Sequence, residues 1–120
     1  MSENVLVNRV RSYTSGTPGR SLNNVRGHHF VIDEPTYAGG PGEEITPADA
    51  FLAGVSACGV LLVETFARKE AIPLKQAEAT IEGIRNTSDT SRFERINIGF
   101  TLVGPTQKQG EELVERYKGR

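Results

Sequence analysis

Cys58 is the one cysteine in 120 residues, so any thiol chemistry here must run through a single sulfur, and an intrachain disulfide is excluded. A thiolate can attack an electrophile, be oxidised by a peroxide to a sulfenic acid, or ligate a metal. The local sequence is Thr46-Pro47-Ala48-Asp49-Ala50-Phe51-Leu52-Ala53-Gly54-Val55-Ser56-Ala57-Cys58-Gly59, a capped helix with the thiol in its apolar middle. Gly54, Val55, Leu61 and Leu62 are the helical neighbours of the cysteine, and none carries charge. Apolar surroundings disfavour a thiolate unless a cation compensates. Three turns into the helix, the thiol is also beyond useful reach of the N-terminal dipole. The cation must therefore come from another element. Arg26 is the best candidate, with Arg20 behind it and His28 a weaker choice. Asp49 is the acid available to orient such an arginine, although nine residues at about 100° each put it roughly opposite Cys58 on a straight helix.

Each of these residues also has an ordinary structural role. Free cysteine is among the most buried residue types, so Cys58 also reads as a small core hydrophobe. Arg26 reads as a solvated residue near a strand end, and Asp49 as a helix cap. His28 and His29 point to opposite faces of a strand with no further ligand type beside them, so neither a metal site nor a cofactor is expected. Gly39-Gly40-Pro41-Gly42 lacks the lysine and spacing of a phosphate loop and reads as a turn. Glu111, Glu112, Glu115 and Lys118 form a solvated helix face.

The elements that must position these groups follow from pattern. Thr46 suits an N-cap, Pro47 the first helical position and Asp49 the acid of a capping box. From Ala50 to Val63 only Ser56 is frankly polar. That run is shorter than the about 20 residues a bilayer span needs. The helix, over residues 47–69, is thus expected to be the buried spine of a soluble domain, with Phe51, Leu52, Val55 and Leu62 in the core. Residues 4–13 read as a strand, 15–19 as a turn, and 21–33 as a second strand or hairpin arm with Arg26, His28, Phe30 and Ile32 on one face. A Gly/Pro-rich acidic loop spans 34–45. A hairpin with arms near 76–86 and 93–103 places Ile96, Ile98, Phe100 and Leu102 inward. Thr106 and Gln109 open a last helix as a capping box. This is an α+β order. A helix apolar on every side needs more cover than one small sheet supplies, so a homo-oligomer is expected.

At this length the chain is read as a single domain over residues 1–120. Its net charge of −1 shows no footprint for nucleic acid or an anionic membrane. The N-terminus lacks a signal-peptide pattern, and a cytoplasmic protein is expected.

The segment TPADAFLAGVSACG, preceded by Asp33-Glu34-Pro35-Thr36-Tyr37-Ala38-Gly39-Gly40, resembles the first-cysteine helix of the OsmC/Ohr family of osmotically inducible and organic-hydroperoxide-resistance proteins. The likeness runs from about Arg26 to the end. It implies an OsmC-like fold, an antiparallel sheet packed on a buried central helix, with two chains intertwined as a homodimer. It also implies a thiol-dependent peroxidase in which Cys58 reduces small apolar hydroperoxides and an external thiol restores it. Two departures accompany the resemblance. The peroxide-reducing branch has a glutamate at the position of Ala48, whereas other members carry their acid at the position of Asp49. The family's second cysteine, on a helix after the one at 106–118, has no counterpart, so the domain is read as C-terminally short. The alternative is a non-catalytic dimeric OsmC-like domain or apolar-ligand binder with Cys58 structural.

Overall fold

A computed structural model describes residues 4–119. The backbone divides between Ala50 and Phe51 into two compact units.

In the first unit β1 (Arg11–Thr14), β2 (Arg20–Val25) and β3 (His28–Asp33) form an antiparallel meander in chain order. The strand expected from residue 4 pairs only from Arg11 onward; residues 5–10 belong to no ladder. The arm expected over 21–33 is two strands, folded back at Arg26-Gly27. Both turn residues have positive φ, 51° and 83°, the backbone of a tight two-residue hairpin whose twist matches its strands. Arg26 therefore does not share a strand face with His28, Phe30 and Ile32. Those three lie opposite Val25, Asn23 and Ser21. The period-two reading ran through the turn because Arg-Gly is not among the residue pairs that usually mark one.

A short 3-10 helix (Thr36–Ala38) sits in the loop that follows. Gly40 is required there: a Cβ would lie 2.1 Å from the Glu34 carbonyl oxygen. Then α1 (Pro47–Lys69) begins. Its start is the expected capping box, since the Thr46 amide donates to Asp49 Oδ2 (3.0 Å) and the Asp49 amide to Thr46 Oγ1 (3.1 Å). Ala71, at φ 54°, reverses the chain at the other end, with the Ile72 amide donating to the Ala67 carbonyl (2.8 Å).

The second unit carries most of α1, then β4 (Gln76–Ile84), β5 (Arg95–Val103) and α2 (Gln107–Lys118). The β4–β5 register pairs Ala77 with Leu102, Ala79 with Phe100 and Ile81 with Ile98, so these small and large apolar residues share one face. Ile98, Phe100 and Leu102 are half-buried as expected, whereas Ile96 is 40% exposed. α2 opens with the Thr106–Gln109 capping box. Its Leu113 meets Val63, Phe66 and Ala67 of α1 to form the core. Gly59 lies against the hairpin, where an added Cβ would sit 3.1 Å from Phe100 Cζ. Arg116 of α2 pairs with Glu70 just beyond α1 and places its guanidinium over the Phe66 ring.

Gly59, Val63, Phe66 and Ala67 are the buried face of α1, the i, i+4, i+7, i+8 stripe of a helix packed on one side. This corrects the expected core. Phe51 is 55% exposed, Leu52 and Val55 are half-buried, and Leu62 lies at the margin of the core. A run that is apolar all round carries no phase, so periodicity could not choose its inner face. By length and composition α1 could also cross a membrane. The 14-residue run counted from the sequence therefore understates it.

Candidate functional site

Cys58 lies on the outer side of α1 and is exposed, not enclosed in an apolar core. Its thiol makes no hydrogen bond among the described residues. Around it the helix presents Phe51, Ala53, Gly54, Ala57 and Leu61, all exposed and all apolar. Small residues thus leave the sulfur open between two large side chains. Charge returns only a turn later, with the Glu64–Arg68 ion pair. Phe51 stacks on Phe93 with ring centroids 6.0 Å apart, and Phe93 lies over Gly83, where any Cβ would be 2.3 Å from its ring.

The other candidates fall in the first unit. Arg26 is exposed at the hairpin turn, and its guanidinium has no carboxylate partner among the described residues. Asp49 is held by its reciprocal bonds with Thr46, the capping role weighed against an acid–base one. Arg20 is already occupied. Its Nε donates to Asp33 Oδ1 (2.7 Å), and its Nη2 to Asp33 Oδ2 (2.8 Å) and Glu43 Oε1 (2.9 Å). Asp33 Oδ2 also accepts the Glu43 and Glu44 amides, each at 3.1 Å.

This Arg20–Asp33 pair is the feature that sequence reasoning missed. Asp33 has no accessible surface, and a buried carboxylate persists only when its oxygens are satisfied. Here four donors satisfy it and tie the 34–45 loop to the end of the sheet. The Arg20 guanidinium, joined by the two loop amides, outweighs burial and pulls the Asp33 carboxyl from 3.8 down to about 2. The same contacts, Asp33 before Glu43, raise the Arg20 value. Because the native carboxyl holds its proton less tightly than the unfolded one, its stabilisation is complete above the unfolded value. It should be lost as pH falls from about 4 to about 2. Asp33→Asn should accordingly melt below the wild type at pH 7, and the gap should narrow across that acid window. A constant gap down to pH 2 in thermal melts would refute the assignment.

A cleft of about 440 Å³ opens between β5 and α2, floored by Ile98, Phe100 and Leu102 with Glu111 and Glu115 on its rim. Its lining is mixed, with Thr106, Gln107 and Lys118 beside the apolar floor, and it lies in the unit that holds Cys58.

The model of the OsmC-like protein family matches residues 40–120. No curated protein matches the chain by sequence. Among solved structures, the backbone resembles an organic hydroperoxide resistance protein OsmC from Legionella pneumophila, with TM-score 0.75 and 21% identity over 98% of this chain and 85% of that one. An OsmC like protein from Mycoplasma pneumoniae superposes with TM-score 0.81 at 16% identity, covering 96% and 82% of the two chains. An organic hydroperoxide resistance protein from Elizabethkingia anophelis gives 0.77 at 17% identity, covering 98% and 85%. At such identities the structural likeness establishes the fold alone.

Proposed function

This chain belongs to the OsmC-like protein family, and from that premise we propose a stress-defence protein in which Cys58 reduces organic hydroperoxides. The observation that carries the reading is the exposed thiol set among apolar residues on α1. A small apolar hydroperoxide can reach the sulfur while its organic part rests on Phe51 or Leu61. The thiolate attacks the terminal oxygen, the S–O bond forms as O–O breaks, and the leaving alkoxide takes a proton to become an alcohol. Cys58 is left as a sulfenic acid. An external dithiol then condenses with it, releasing water, and its second sulfur displaces Cys58 and leaves as the disulfide. A cytoplasmic setting would supply such a reductant.

In this reading Arg26 is the cation that favours the thiolate, because Arg20 is taken up by Asp33 and Glu43. Asp49 serves by fixing the first turn of α1. Brief exposure to tert-butyl hydroperoxide in the presence of dimedone should label Cys58. No label on folded protein would overturn the assignment.

A second reading rests on a different observation. Phe51 and Leu61, 55% and 59% exposed, flank a stripe of small residues, and an apolar helix face of this kind calls for cover. We propose that a second copy covers it, forming a homodimer. If Cys58 is sealed in that interface, the chain is a non-catalytic dimeric domain or apolar-ligand binder with a structural cysteine. Sedimentation should show a dimer, and Leu61→Glu should shift it to monomer. A monomeric wild type at micromolar concentration would exclude this arrangement.

A further inference from the structure

The far end of the β4–β5 hairpin builds an aromatic wall against α1, and every contact that holds it lies within the second unit. Phe93 comes just before β5, where the Glu94 amide donates to the Ile84 carbonyl (2.8 Å) as the ladder begins. Its ring lies across Gly83, where any Cβ would be 2.3 Å from Phe93 Cε1, so β4 admits the ring only because it has no side chain there. Arg85 holds the ring as well. Its guanidinium carbon is 5.6 Å from the ring centroid, and its Nη1 donates to the Thr90 carbonyl (3.4 Å). Fixed in this way, Phe93 stacks on Phe51 of α1 with the two planes 23° from parallel.

Phe51 stands seven residues before Cys58. Seven residues are close to two helical turns, so the two share one face with about 10 Å between their Cα atoms. Gly54 lies between them, and an added Cβ there would meet no atom of the described residues within 4 Å. Helical side chains lean toward the N-terminus, so the Cys58 sulfur tilts toward this gap and the rings beyond it. A tert-butyl group held at the sulfur is too short to reach those rings. A phenyl group one carbon from the peroxide reaches across the gap and can stack on them. Stacking adds an attraction between ring quadrupoles that an aliphatic chain of equal area lacks. Taking Cys58 as the hydroperoxide-reducing thiol, we infer that Phe93, through its stack with Phe51, is a specificity-determining residue that favours aryl-substituted hydroperoxides over purely aliphatic ones. A second copy laid over α1 would roof the gap and leave this wall as its side, because the hairpin holds Phe93 from within one chain.

Two measurements on the full chain test this. The first follows loss of the Cys58 thiol during a single turnover with cumene hydroperoxide or with tert-butyl hydroperoxide. Phe93→Leu should lower the ratio of the two rate constants about fivefold, by slowing the aryl substrate alone. Phe93→Tyr, which keeps the ring, should preserve the ratio, and alkylation by iodoacetamide should be the same in all three proteins. A merely structural role for Phe93 would slow both substrates alike. The second measurement is independent of thiol chemistry. With Cys58→Ser, 2-phenyl-2-propanol (the alcohol product of cumene hydroperoxide) should shift the Phe51 and Phe93 ring resonances saturably, and tert-butanol should not. An unchanged ratio in Phe93→Leu overturns the inference and leaves the peroxidase reading standing. If Cys58 reacts with neither hydroperoxide but the aryl alcohol still shifts both rings, the peroxidase reading fails and the aryl-binding wall stands. Rings that ignore the aryl alcohol overturn the inference, even should Phe93→Leu fold poorly.

Discussion

Leu113→Ala should lower the unfolding free energy by about 2–5 kcal/mol in urea melts. Leu113 is fully buried, the largest such side chain among the described residues, and the one buried residue of α2. It sits where α2 closes over Val63, Phe66 and Ala67, so truncation leaves a cavity between two helices that cannot easily approach further. Against a typical total stability of about 5–15 kcal/mol, that loss is a large share of the whole. Leu62→Ala should cost less, because Leu62 is only half-buried at the edge of the same cluster. A loss under about 0.5 kcal/mol for Leu113→Ala would mean that α2 does not seal this core.

The larger effect is expected on chemistry. Wild-type protein treated with tert-butyl hydroperoxide should carry a dimedone adduct at Cys58, and Cys58→Ser should carry none. The adduct should accumulate readily, because this chain holds no second thiol to consume the sulfenic acid. Arg26→Ala should slow the oxidation by roughly tenfold, because a nearby cation favours the thiolate. Lys75→Ala should not slow it. Arg20→Gln should act on stability instead, since it leaves Asp33 buried without its main donor. If Cys58 resists both the hydroperoxide and iodoacetamide at neutral pH, the peroxidase reading fails and the structural-cysteine reading stands in its place.

Much of the chain from residue 46 onward was legible in the residues. The bounds of α1, the Thr46–Asp49 and Thr106–Gln109 caps, and the two arms of the β4–β5 hairpin all rest on short-range chemistry that each segment carries by itself. The first unit was harder. Arg26-Gly27 does not announce a hairpin, so the strand pattern was read straight through it. Had the turn been recognised, its two residues would have paired position 20 with 33 at once, exposing the Arg20–Asp33 contact. Residues 5–10 have the composition of a strand without a ladder partner in the first unit, and composition cannot supply one.

The sequence by itself determined the α+β order, the helix carrying the only thiol, and the resemblance that named the family. Those follow from local propensity, caps and one fourteen-residue signature. Tertiary structure alone decided which side of α1 faces inward, and with it whether Cys58 is buried or open. An apolar face gains free energy wherever it is covered, so only the shape of the hairpin and α2 could select Gly59, Val63, Phe66 and Ala67 and leave Cys58 outside. Structure likewise gave Arg20 its partner. Hydrogen bonding is directional and short-ranged, and strand register set Arg20 opposite Asp33 while placing Arg26 at a turn, without a carboxylate partner among the described residues.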